Sequence, residues 1–181
     1  IDSATLMNKG FEVIEAYYLF DLKIEQIEVI IHPESIIHSM VEYTDGSLIA
    51  QLGNPDMRIP IAHALAYPER IASGVSSLDL VKQGRLSFDT PDQKRFPCLG
   101  LAYAALRVGG AAPAVLNAAN EEAVAAFLEG AIGYCDIASV VEDTLGATEA
   151  FSATSLEAIM SADVSARNLA RQVIVRLRKG D

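Results

Sequence analysis

The sequence predicts an α+β chain, in which a portion with a small sheet and flanking helices is followed by an all-α helical bundle. Three observations carry that expectation. Helical periodicity of apolar residues opens the chain. An Asp45-Gly46 turn between two β-rich runs signals a hairpin. After Pro97, alanine-rich segments punctuated by glycine leave no strand signal.

In order, residues 3–20 read as one helix. Met7, Phe11, Ile14 and Tyr18 recur at helical spacing, and Asp2, Ser3 and Thr5 are candidate caps. Gly10 lies inside that pattern at a cost of about 1 kcal/mol relative to alanine, so it calls for a packing or functional reason. Residues 27–31 form a short apolar run, read as a strand that ends before Pro33. Runs 39–43 and 48–52 flank the hairpin turn, and Gly53-Asn54-Pro55-Asp56 is a loop by its turn chemistry. Residues 60–66 read as a helix stopped before Pro68. Proline and glycine then break the pattern as far as Pro97, with a short strand expected near 86–88. Segments 99–108, 114–128, 137–145, 156–160 and 164–178 are helical in composition, with Gly109, Gly130, Gly133 and Gly146 as stops. The expected division is 1–67, a linker at 68–95, and a helical domain at 96–181. Asn117, Asn120, Glu121 and Glu122 read as turn and cap chemistry at a helix start.

The chain has 181 residues, 51% of them hydrophobic, enough for a real core. Lys plus Arg number 14 against 24 Asp plus Glu, a formal charge of -10. That balance argues against nucleic acid or an anionic membrane as partner, since both reward a basic field. It leaves room for a small phosphorylated molecule held by a local cluster of donors. Cys98 and Cys135 belong to no C-x-x-C pair, so reduced thiols and a cytoplasmic location are expected. No run approaches the roughly 20 apolar residues of a membrane-spanning helix. The chain opens at Ile1 inside a structured-looking segment, as a piece of a longer polypeptide would.

The opening helix is the informative element. At about 100° per residue, Thr5, Asn8, Lys9 and Glu12 fall on one stripe. Ser3 and the free N–H groups of the helix start lie one turn upstream, a suitable seat for phosphate. Lys9 adds a compact cation and Glu12 a hard oxygen ligand for Mg²⁺ or Mn²⁺. Lys9 and Glu12 are equally an i,i+3 pair on a solvated face. Both readings stand on spacing alone.

The literal runs narrow the choice. DSATLMNKGFE at 2–12, IHPESIIHS at 31–39, QLGNPDMR at 51–58, PIAHA at 60–64, RFPCL at 95–99 and AVLNAANE at 114–121 closely resemble the 1-deoxy-D-xylulose 5-phosphate reductoisomerases. The resemblance runs from residue 2 to about 137. It implies an NADPH- and divalent-metal-dependent enzyme of non-mevalonate isoprenoid synthesis, in the bacterial cytoplasm or the plastid stroma. It rearranges and reduces its phosphorylated sugar substrate to 2-C-methyl-D-erythritol 4-phosphate. By motif, Ser3, Asn8, Lys9 and Glu12 would bind substrate, with Ser3 nearer its phosphate. Lys9 and Glu12 would be catalytic, and Glu12 a metal ligand. His38 is either a pocket residue or structural. Met57 lies either against the nicotinamide side or in plain packing. His32 reads as structural.

The resemblance also implies a homodimer. It implies an N-terminal NADPH-binding half carrying the glycine-rich loop, the remaining metal carboxylates and a mobile lid, none of which this sequence contains. The chain is therefore expected to be inactive alone. Two other readings compete with it. A non-enzymatic assembly module would use the same strands and helices. A hydrolase built on Ser3 and Lys9 lacks a nucleophile elbow and an oxyanion donor.

Overall fold

The computed structural model describes residues 1–148, 153 and 155–179. The far end of the expected 96–181 domain and the side chain of Lys179 lie outside the described residues. The fold is α+β, mostly helical with one two-stranded sheet among the described residues. In chain order the elements are α1 (Asp2–Thr5), α2 (Met7–Phe20), a 3-10 turn (Ile24–Gln26), β1 (Ile37–Glu42), β2 (Leu48–Leu52) and α3 (Arg58–Ala66). There follow α4 (Leu80–Gln83), α5 (Pro97–Val108), α6 (Ala112–Leu128), α7 (Asp136–Ala147) and α8 (Leu156–Lys179). Two compact units result: Ile1–Val29 with Asp92–Asp181, and Ile30–Pro91 between them in sequence.

In the first unit, α2 packs on α5, and α6 packs on α7 and α8. The core joins Met7 of α2, Cys98 and Ala102 of α5, Leu116 and Ala119 of α6, Val140 of α7 and Val173 of α8. Its many alanines let helix axes approach closely, since little side chain stands between them. The reason for Gly10 is visible here. A Cβ on Gly10 would sit 2.6 Å from the Cβ of Ala102, so α2 can lie this close to α5 only with no side chain at that position. A second, smaller cluster of Ala111, Val115 and Ala118 on α6 meets Ala162 and Ala166 on α8. Ion pairs rim the same contact. Arg167 pairs with Glu121 at 2.7 Å and Asp163 at 2.8 Å, and Arg171 with Glu122 at 2.7 Å.

Several expectations change. The opening helix is broken at Leu6, whose φ of 58° is left-handed and separates α1 from α2. Thr5, before the break, turns inward and is buried, so it leaves the stripe of Asn8, Lys9 and Glu12. Residues 156–160 and 164–178 are one continuous helix, because Ala162 packs inward and Asp163 pairs with Arg167 one turn on. Gly146 lies within α7 and stops nothing. Asn117, Asn120, Glu121 and Glu122 occupy the middle of α6, which starts earlier with Pro113 in its first turn.

In the second unit, β1 and β2 pair antiparallel with a register shift between Ile37 and Ser39. The turn is closed by Gly46 at φ 83° and by Asp45, which accepts the Ser47 N–H at 2.9 Å. The expected strands at 27–31 and 86–88 do not form. Only a single bridge joins Ile31 to Asp89, and the Ile27 carbonyl accepts the Tyr103 hydroxyl at 3.0 Å within the first unit. An apolar run needs a partner edge to become a strand, and one residue finds one. Of the stretch expected as a linker, 68–91 falls in the second unit, where Ser87 donates to Glu34 at 2.7 Å, and 92–95 in the first.

Candidate functional site

The break at Leu6 restarts the helix, and the new turn presents Asn8, Lys9 and Glu12 together. Position i+4 brings the Asn8 Nδ2 to Glu12 Oε1 at 2.8 Å, and position i+3 brings Lys9 Nζ to Glu12 Oε2 at 2.5 Å. The carboxylate is thus held between an amide and an ammonium. The Lys9 and Glu12 side chains are 40% and 47% exposed, so a ligand can reach them. Taken as stability alone, such a pair contributes a few tenths of a kcal/mol. Ser3 is also exposed, on α1. Behind the site, Met7, Gly10 and Val13 are buried and anchor α2 to the core.

His38 and Met57 belong to the second unit. His38 is exposed on β1, and Met57 is 70% exposed immediately before α3. Beside Met57, Asp56 and Arg58 form a tight ion pair, with Arg58 Nη2 to Asp56 Oδ2 at 2.6 Å. The hydrogen bonds and charge of Arg58 pull the Asp56 carboxyl down to about 2. His32 is structural: its Nδ1 meets the Ser87 carbonyl at 2.8 Å, its Nε2 accepts the Ile36 N–H at 3.1 Å, and its ring stacks on Phe88.

Ser87, His32 and Glu34 together invite comparison with a hydrolytic triad. The geometry is wrong for one. The Ser87 hydroxyl donates to Glu34, and His32 Nε2 is already occupied by a backbone N–H, so no base faces the serine. The two thiols differ in accessibility. Cys135 stands exposed, and burial pushes the Cys98 thiol up to about 11.

By donor chemistry Glu12 fits a divalent cation, since each carboxylate oxygen retains a lone pair beyond its present hydrogen bond. Among the described residues no group of three or more His, Cys, Asp or Glu side chains converges to complete one. Sequence reasoning missed the buried amide of Asn120, which touches the segment bearing Ser3. Its partner lies 118 residues away, so no spacing rule could find it.

Comparison with known proteins gives these residues their context. Residues 52–169 match the family model described as the DXP reductoisomerase C-terminal domain. Residues 1–20 match that of the 1-deoxy-D-xylulose 5-phosphate reductoisomerase C-terminal domain. The 1-deoxy-D-xylulose 5-phosphate reductoisomerase of Aromatoleum aromaticum is 63% identical over 97% of this chain and 43% of its own length. That of Cupriavidus necator is 62% identical over 98% and 45%. The Zymomonas mobilis reductoisomerase, solved in complex with NADPH, superposes with a TM-score of 0.90 at 51% identity, over 96% of this chain and 46% of that one. A DOX-P reductoisomerase in complex with NADPH, fosmidomycin and magnesium gives 0.91 at 51% identity, over 99% and 46%. The chain spans less than half the length of the relatives it matches. With about two thirds of its residues under one family model, and an opening helix under a second, the chain belongs to the DXP reductoisomerase family through its C-terminal domain.

Proposed function

We propose that this chain supplies part of the active site of a 1-deoxy-D-xylulose 5-phosphate reductoisomerase, acting with an N-terminal NADPH-binding half. The observation that carries the reading is the convergence of Asn8 and Lys9 on Glu12, at the exposed face of a segment that matches the family. In that enzyme residues 1–67 complete the catalytic domain and 96–181 form the helical domain. The assembly is a homodimer in the cytoplasm, or in the plastid stroma of a plant or alga.

Ser3 takes the phosphate end of the substrate. Asn8 and Lys9 hold its hydroxyls, and fixing them presents one face of the carbonyl to hydride. The Lys9 ammonium also stabilises negative charge that develops on a substrate oxygen. Glu12 would ligate Mg²⁺ or Mn²⁺ alongside ligands from outside this chain. When bound, the metal polarises the substrate carbonyl. NADPH supplies the hydride. Met57 lines the nicotinamide side, and His38 lies near the substrate.

The test joins this chain to its upstream half and follows NADPH oxidation with 1-deoxy-D-xylulose 5-phosphate and Mn²⁺. Turnover by the joined protein and none by the chain alone is the expected result. Replacing Lys9 by alanine should cut kcat/KM by roughly a hundredfold or more. Turnover by the isolated chain, or full activity without Lys9, would overturn the reading.

A further inference from the structure

Resting on that reading of the site, we infer that Asn120, in the middle of α6, is a positioning residue that pins α1 and so fixes Ser3 against Asn8, Lys9 and Glu12. Its side chain is only 1% exposed, a costly place for an amide. Among the described residues its one side-chain hydrogen bond runs from Nδ2 to Asp2 Oδ1 at 3.1 Å. Its Oδ1 is buried with no partner among the described residues. An amide kept only to fill space would be replaced without loss by an apolar residue of its size, because an unpaired buried acceptor lowers stability. The one bond it does make reaches the residue next to Ser3.

That pin matters because of the break at Leu6. With Leu6 left-handed, α1 does not continue the hydrogen-bond ladder of α2, so its direction is not set by α2. What holds α1 is tertiary. Thr5 is buried, donates to the Asp2 carbonyl at 3.3 Å and accepts the Met7 N–H at 3.3 Å. Asp2 is held from the other side by Asn120. Together they fix a single turn that carries Ser3 at the phosphate end, while Lys9 and Glu12 ride on α2 and are anchored separately through Gly10 and Met7. Loss of the pin should therefore loosen phosphate recognition and leave the other end of the site in place.

The experiment uses the full-length enzyme carrying this chain and two substrates, 1-deoxy-D-xylulose 5-phosphate and the unphosphorylated sugar. Asn120→Ala should raise KM for the phosphorylated substrate about tenfold while kcat stays within about threefold. The already poor kcat/KM of the unphosphorylated sugar should move less than about threefold. Asp2→Ala removes the same bond from its more exposed end and should raise the same KM about as much, while the double variant Asp2→Ala with Asn120→Ala should raise it no further than either change alone. Equal losses for both sugars would mean general loosening and overturn the inference, as would an unchanged KM. So would failure of both single variants to fold, since the pair would then serve the core alone. A wild-type enzyme without turnover sinks the reading of the site and this inference with it. An active wild type with an indifferent Asn120 sinks only the inference.

Discussion

Gly10→Ala tests whether helix propensity or interhelical clearance governs the segment that bears the site. Alanine in place of glycine favours an isolated helix by about 1 kcal/mol. Here the new methyl would meet the Ala102 Cβ at 2.6 Å, whereas carbon atoms rest about 3.5–4.0 Å apart. Roughly 1 Å must be made between α2 and α5, and overpacking of this kind costs about 1–3 kcal/mol. Both atoms are on short side chains close to backbone, so neither can swing aside. The net expectation is a loss of about 1–2 kcal/mol, which lowers the melting temperature of a chain this size by about 2–8 °C. Thermal melts followed by circular dichroism read it directly. The double variant Gly10→Ala with Ala102→Gly moves the methyl across the interface and should melt close to wild type. Its departure from additivity should be about 1–3 kcal/mol. A higher melting temperature for Gly10→Ala, or strictly additive effects, would show that the close approach of α2 and α5 is not what excludes a side chain at position 10.

Two further outcomes follow from the chemistry of particular groups. One thiol per chain should react with an aromatic disulfide reagent at neutral pH, namely the exposed Cys135. Cys98, buried and pushed up to about 11, should react only after unfolding, and fast modification of both thiols in the native protein would contradict that. The Asp56 carboxyl, depressed by Arg58 from an ordinary 3.8 to about 2, contributes stability that is fully present above its ordinary value and is lost as pH falls through about 2. Carboxyl chemical shifts against pH should show that low midpoint, and Arg58→Ala should return it toward the ordinary range.

The legible parts of the fold were those encoded within a few residues. Asp45 and Gly46 announce the hairpin because a tight turn has local chemical demands. Asn8, Lys9 and Glu12 share a face because i,i+3 and i,i+4 spacing requires it. The left-handed Leu6 was not legible, since no glycine marks it. It is imposed by burial of Thr5 and Met7 on either side. The run at 27–31 has the composition of a strand, but strands are made by partners, and Ile31 alone finds one in Asp89. Asn120 reads as a cap in the sequence because asparagine prefers helix starts. Only its separation of 118 residues from Asp2 in sequence, and its closeness in space, gives it another use.

The first unit is assembled from both flanks of an intervening stretch, Ile30–Pro91. During synthesis the opening helices therefore emerge long before the surface that shelters Met7 and Val13 exists. At about 5–20 residues per second, they wait several seconds for α5 and longer for α6. A nascent chain halted in that interval displays an amphipathic helix with no mate. Chaperone binding in vivo should accordingly concentrate on the opening helices of such stalled chains and fade once Leu116 and Ala119 have left the ribosome.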